Sequence, residues 1–275
     1  MIGEESEQPT LSYLGAALWT LGVGAVFDVL LSIAIHSRPD ANTNLANLAA
    51  CHALSHLIVI AALLRIYRPD ETLGEAFGFS PVRFLRTSVA QAFLAIVVGL
   101  SLIPVAEFFE KLGEKRFPLS PPAASLVEEM MDVSTTRSKV LLLASIGLVL
   151  PLVEELFFRG LLFRLLKKSM GSLGALTGVT GCYLIAHGDP RQLPVSILLA
   201  LVVGLSRTFS ESVLPAILIH VVMNMGSALW FVFAKQYEPY PTLTVGLTGV
   251  AALGLWILCR VGQSQNLVEK DVAHA

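Results

Sequence analysis

The chain has 275 residues, of which 54% are hydrophobic and 15% charged, with a mean hydropathy of +0.69. A soluble domain carries roughly 45–50% apolar and about 25% charged residues, so this composition excludes an ordinary soluble protein and indicates a polytopic helical membrane protein. The net charge of −2 and the absence of a basic patch exclude nucleic acid as an expected partner.

Apolar runs long enough to cross a hydrocarbon core need about 20 residues. Eight are expected, in chain order: 11–35, 45–66, 87–109, 139–163, 173–188, 193–208, 213–234 and 242–260. The N-terminus, with Glu4, Glu5 and Glu7 and no Lys or Arg, does not read as a cleavable signal. Turn residues separate the spans at Ser37-Arg38-Pro39-Asp40, Arg68-Pro69-Asp70, Gly188-Asp189-Pro190 and Glu238-Pro239-Tyr240-Pro241. Arg65, Arg68, Arg83 and Arg86 share one loop, and Arg164, Lys167 and Lys168 share another. Both fall on the side of the two termini, which the positive-inside rule places in the cytoplasm, although Lys111, Lys115 and Arg116 make an opposite-side loop basic as well. That loop, 110–138, is the longest, and its Ala124-to-Met131 part reads as an interfacial helix or lid with a solvated Glu128–Glu129 pair. The whole chain is expected to form one integral-membrane domain. Cys51, Cys182 and Cys259 lie in or at the ends of apolar runs and form no CxxC pair, as thiols used for packing do.

The chemistry lies in polar residues placed at membrane depth. A charge there costs at least ~2.5–3.5 kcal/mol, yet Glu154 and Glu155 sit side by side in the fourth span. Glu155 and Arg159 are spaced i,i+4 and can neutralise each other on one helix face. Glu154 points about 100° away and has no partner in its own helix, which makes it the candidate for chemistry. His187 ends the fifth span, and His220 and Asn224 share a face of the seventh. Such groups should converge inside the bundle, because lipid does not solvate them. A buried glutamate can act as general base on a bound water, with an imidazole sharing the proton. His220 and Asn224 are donors suited to an oxyanion. No Ser, Thr or Cys sits in a nucleophile context, and both Gly-x-Ser-x-Gly and His-Glu-x-x-His are absent.

Glu154-Glu155-x-x-x-Arg159, Tyr183-x-x-x-His187 and His220-x-x-x-Asn224, in this order over roughly 139–234, resemble the three motifs of the CPBP family, which includes the type II CAAX prenyl endopeptidases and Abi-type proteins. One departure is Tyr183, where the family usually has Phe. The resemblance implies an eight-helix bundle around a conical cavity and a glutamate-based, metal-independent intramembrane endopeptidase without a cofactor. Its substrate would be a membrane-anchored, in some members prenylated, protein or peptide cut near its C-terminus. By position, Glu154 would activate water with His187, His220 and Asn224 would hold the oxyanion, and Glu155 and Arg159 would be structural or orient substrate. A multi-pass protein of a prokaryotic inner membrane is expected.

Other readings stay open at this level. His52 and His56 are spaced i,i+4 in the second span, as metal ligands can be, and a zinc protease would draw on them or on Glu154, His187 and His220. They fit equally as residues lining the bundle interior or its mouth. Asp28 and Glu107 are lone acids; Asp28, Glu154 and the histidines would serve as a proton relay in a transporter, though no inverted repeat accompanies them. A non-catalytic scaffold or immunity-type binding protein is the third class. One geometric tension accompanies the peptidase reading. Glu154 and His220 are expected nearer the cytoplasmic side, but His187 lies about 14 residues into its span, roughly 21 Å at 1.5 Å per residue.

Overall fold

The computed structural model describes residues 10–68, 70–77, 89–210, 212–234 and 241–273. Arg83, Arg86, the N-terminal glutamates and the Glu238–Tyr240 part of the last turn lie outside them. The helices are α1 (Tyr13–Ser37), α2 (Leu45–Tyr67), α3 (Val89–Arg116), the short α4 (Pro121–Met130), a 51-residue stretch Thr136–Ala186, α7 (Leu193–Ser210), α8 (Leu214–Ala234) and α9 (Pro241–Ala273). Among the described residues 7 helices are long and apolar enough to cross a membrane. The protein is an all-α, multi-pass membrane bundle.

The 51-residue stretch breaks at Gly171, whose φ of 71° and ψ of 179° suit a residue without Cβ. It therefore divides into α5 (136–170) and α6 (172–186), giving the eight segments expected from hydropathy. The basic cluster Arg164, Lys167 and Lys168 lies on the end of α5 and not in the loop expected for it. The error came from reading charge as a loop signal. Long basic side chains are compatible with a helix that extends past the hydrocarbon core, where they reach the interface.

This correction also removes the geometric tension. Glu154 precedes Gly171 by 17 positions and His187 follows it by 16. When the chain folds back at the glycine, both stand about 25 Å from the bend at 1.5 Å per residue. Contacts across the hairpin confirm the register: the rings of Phe158 and Tyr183 are 5.3 Å apart, and the Arg159 guanidinium lies 4.6 Å from the Tyr183 centroid.

α5 itself is irregular. π-helical segments Leu143–Val149 and Leu156–Leu162 flank one regular piece, Leu150–Glu155, that carries both glutamates. π-helical turns occur often at functional sites because they re-aim side chains. Polar side chains meet carbonyls of both segments here: Asn224 Nδ2 donates to Ile146 O at 3.4 Å, and Arg207 Nε to Arg159 O at 2.9 Å.

Local signals start the other helices. Ser12 caps α1 through Gly15 N, Asn44 caps α2 through Ala46 N and Asn47 N, and Thr135 with Ser138 forms a capping box before α5. Outward faces stay apolar, with Leu14, Val29, Ile33, Leu173 and Phe233 exposed as lipid-facing residues should be. The buried core includes Phe157, Phe158, Leu161, Leu162 and Tyr183, so the glutamate segment sits against the interior of the bundle.

Candidate functional site

Adjacent carboxylates on α5 face different neighbours. Glu155 is fully buried and accepts from Arg159 Nη1 at 3.1 Å and from His220 Nδ1 at 2.8 Å, both at the same oxygen. Arg159 is also fully buried; its Nη2 donates to Ala200 O at 3.3 Å and its plane lies over Tyr183. The expected i,i+4 pair is thus present and is joined by the imidazole from α8. It ties α5, α7 and α8 together with opposite charges, which offsets the cost of burying them.

Glu154 turns instead toward a cavity of about 930 Å³. Its Oε1 accepts from His52 Nε2 at 3.2 Å, and its Oε2 lies 3.9 Å from His187 Nε2. His187 caps the end of α6, and its Nδ1 donates to Tyr183 O at 3.0 Å. A neutral His187 therefore carries its proton on Nδ1 and presents a lone pair on Nε2 to the carboxylate. Two acceptors 3.9 Å apart suit one bridging water that donates a proton to each.

His220 and Asn224 line the same cavity from one face of α8, together with Glu154, Tyr183 and His187. The bundle thus brings all four positions named as catalytic to one space, although His220 bonds to Glu155 and not to Glu154. With its Nδ1 proton directed at Glu155, His220 can donate from Nε2 only when the ring is doubly protonated. Asn224 uses one amide proton on Ile146 O and keeps the second.

Three features are not evident from the motifs. His52 of α2 is a direct partner of Glu154; its i,i+4 spacing with His56 was the available signal, but sequence gave no reason to choose Glu154 as the contact. Tyr183 stacks on the His187 ring at 4.0 Å and 27°, and its hydroxyl has no hydrogen-bond partner among the described residues. Arg207, only 4% exposed, braces Arg159 through its carbonyl and lies over Phe163. Of the lone acids, Asp28 is exposed on the outer face of α1, while Glu107 lines the cavity. The Glu128–Glu129 pair is exposed on α4, with Ala124, Val127 and Glu128 forming part of the cavity wall. Among the described residues no group of three His, Cys, Asp or Glu side chains is arranged to hold a metal ion.

The 188–192 segment after His187 is held by Asp189, which accepts from Arg191 Nε at 3.1 and 3.0 Å. The guanidinium hydrogen bonds hold the Asp189 carboxyl below the usual aspartate range. Gly113 of α3 lies directly against the Arg191 carbonyl, where a Cβ would collide with it.

Residues 136–226, about a third of the chain, match the family model "Type II CAAX prenyl endopeptidase Rce1-like". That interval runs from the start of α5 into α8 and contains Glu154, Glu155, Arg159, His187, His220 and Asn224, but neither the α2 histidines nor the acids that line the cavity from α3 and α4. No curated protein and no solved structure matches the chain.

Proposed function

We propose, for a chain that belongs over residues 136–226 to the Rce1-like family of type II CAAX prenyl endopeptidases, a glutamate-based intramembrane peptidase that cuts a membrane-anchored peptide near its C-terminus. The observation that carries the reading is the pairing of Glu154 Oε2 with His187 Nε2 across 3.9 Å on the cavity wall. A water between them gives up one proton to Glu154 as its oxygen bonds to the scissile carbonyl carbon. The carbonyl oxygen becomes an oxyanion that accepts from Asn224 and from doubly protonated His220. Collapse breaks the carbon–nitrogen bond, and the proton held by Glu154 passes to the leaving amine. Glu155 balances the charge of Arg159.

Glu107, Glu110 and Glu114 on α3, Glu128 on α4 and Asp132 just after it line the same cavity, whose described lining holds no Lys or Arg. A peptide carrying positive charge beside the cleaved bond is therefore the better-matched substrate, since Coulomb attraction is strong in a low-dielectric cavity. Helix α4, with no buried residue of its own, forms a wall that can move without unpacking the bundle. Multi-pass insertion with both termini in the cytoplasm of a prokaryotic cell completes the proposal.

The test is cleavage of a panel of membrane-anchored and prenylated peptides, basic or acidic beside the scissile bond, by purified protein in detergent. Cleavage lost in Glu154→Gln and His220→Ala and indifferent to chelator supports the glutamate mechanism. Cleavage abolished by chelator moves the chemistry to a metal, and binding without cleavage favours a scaffold.

A further inference from the structure

We infer that His52 is a positioning residue for the reaction: it fixes Glu154 through Oε1 so that Oε2 is the oxygen left to face His187 and the water. The inference rests on Glu154 being the general base proposed above, and on a contact outside the matched segment. Among the described residues His52 supplies the one hydrogen bond to Glu154 within 3.5 Å. Glu154 is only 7% exposed, so solvent cannot readily replace that bond.

The proton positions follow from the partners. A carboxylate only accepts, so His52 must carry hydrogen on Nε2. His56, 3% exposed, bonds through Nδ1 to the His52 carbonyl at 2.9 Å, and a carbonyl also only accepts, which fixes the His56 tautomer. The two imidazoles stand 4.4 Å apart on successive turns of α2, and the Phe27 ring of α1 meets the other side of His52 at 6.2 Å. His52 is thereby confined between His56 and Phe27, with its Nε2 aimed at α5. It stands behind the carboxylate and is not part of the cavity lining, so it acts through Glu154 and not on the substrate.

The structural consequence is a division between the two oxygens of one side chain. Without an anchor, the Glu154 carboxylate can rotate about its last torsion and exchange Oε1 for Oε2, a motion that broad two-fold wells permit. With Oε1 held from α2, Oε2 stays on the His187 side. Misplacement by about 1 Å at a reacting group can cost roughly 10²-fold in rate.

The experiment uses the full chain in detergent and has two arms. In the first, wild type, His52→Ala and His52→Gln are assayed on a cleaved peptide, beside Glu154→Gln. The expected result is a kcat lowered about 10²-fold in His52→Ala with KM changed less than about twofold, and partial recovery in His52→Gln, whose amide N–H replaces the donor. Unchanged kcat in a folded His52→Ala, or no advantage of Gln over Ala, overturns the inference. The second arm reads the bond without turnover. Protein labelled with ¹⁵N-histidine gives a resonance assigned to His52 by its absence in His52→Gln. That signal should shift in Glu154→Gln, and an unshifted signal overturns the inference even if peptides are cut. A shifted signal in a protein that cuts no peptide keeps the His52–Glu154 bond and sinks the peptidase reading, and with it the role of His52 in catalysis.

Discussion

Glu154 and Glu155 are the same residue type in adjacent positions on one short helical segment, and the fold gives them opposite surroundings. Glu155 is sealed, shares one oxygen between Arg159 and His220, and leaves its Oε2 without a partner. Glu154 has one bond behind it, from His52, and an oxygen on the cavity side facing the His187 imidazole 3.9 Å away, which it does not bond. The 100° step of the helix alone produces this separation. A buried ion pair holds helices together, whereas a carboxylate with an unengaged oxygen on a cavity can exchange a proton. On the function proposed here, the first region is scaffold and the second is chemistry.

Replacing either acid tests that contrast, and the largest expected effect is on activity. Glu154→Gln should lower kcat by roughly 10²–10⁴-fold, the usual contribution of a general base, with an unchanged unfolding midpoint. Arg159→Met should instead leave the Glu155 charge uncompensated and destabilise the fold by about 3–5 kcal/mol, read in denaturant unfolding in detergent. The double variant Glu155→Leu/Arg159→Met should recover much of that stability but no cleavage, because His220 loses its partner; full cleavage by the double variant would mean that His220 needs no partner at Glu155.

Smaller effects sharpen it. Gly113→Ala should push the Arg191 carbonyl away and carry the 188–192 segment, which begins directly after His187, with it. The expected outcome is reduced kcat with the Glu155 cluster intact, measured as lost turnover at nearly unchanged stability. Tyr183→Phe keeps the ring that stacks on His187 and removes a hydroxyl without a hydrogen-bond partner, so stability should change by less than about 0.5 kcal/mol. A large loss of stability would mean that the hydroxyl has a role the ring contacts do not account for. The smallest effect concerns the Asp189–Arg191 tie. Because its folded carboxyl titrates below the ordinary aspartate value, the tie is fully present above that value and weakens as pH falls through the lower folded one. Asp189 is only partly buried, so Asp189→Asn should alter cleavage slightly, and only above the folded aspartate value, where the wild type still has the tie.

Much of this arrangement was legible before any coordinates. Hydropathy located the spans, and the i,i+4 rule paired Glu155 with Arg159 and set Glu154 apart. What could not be read were contacts across long sequence separations. His52 lies 102 positions from Glu154, and its spacing with His56 fits a metal site as well as a positioning pair. Arg207 is apolar in its surroundings and has no motif, since its partner is a backbone carbonyl of a π-helical turn. The end of α5 was misplaced because three basic residues look like a loop, although a single glycine at 171 makes the turn.

The most direct test of the contrast between the two acids is cleavage and thermal unfolding measured side by side for Glu154→Gln and Glu155→Gln. The expected result is a folded, inactive Glu154→Gln that melts with the wild type and a Glu155→Gln that melts at a lower temperature. A Glu154→Gln protein that still cuts peptide, beside a Glu155→Gln that melts like the wild type, would contradict the assignment of chemistry to one acid and structure to the other.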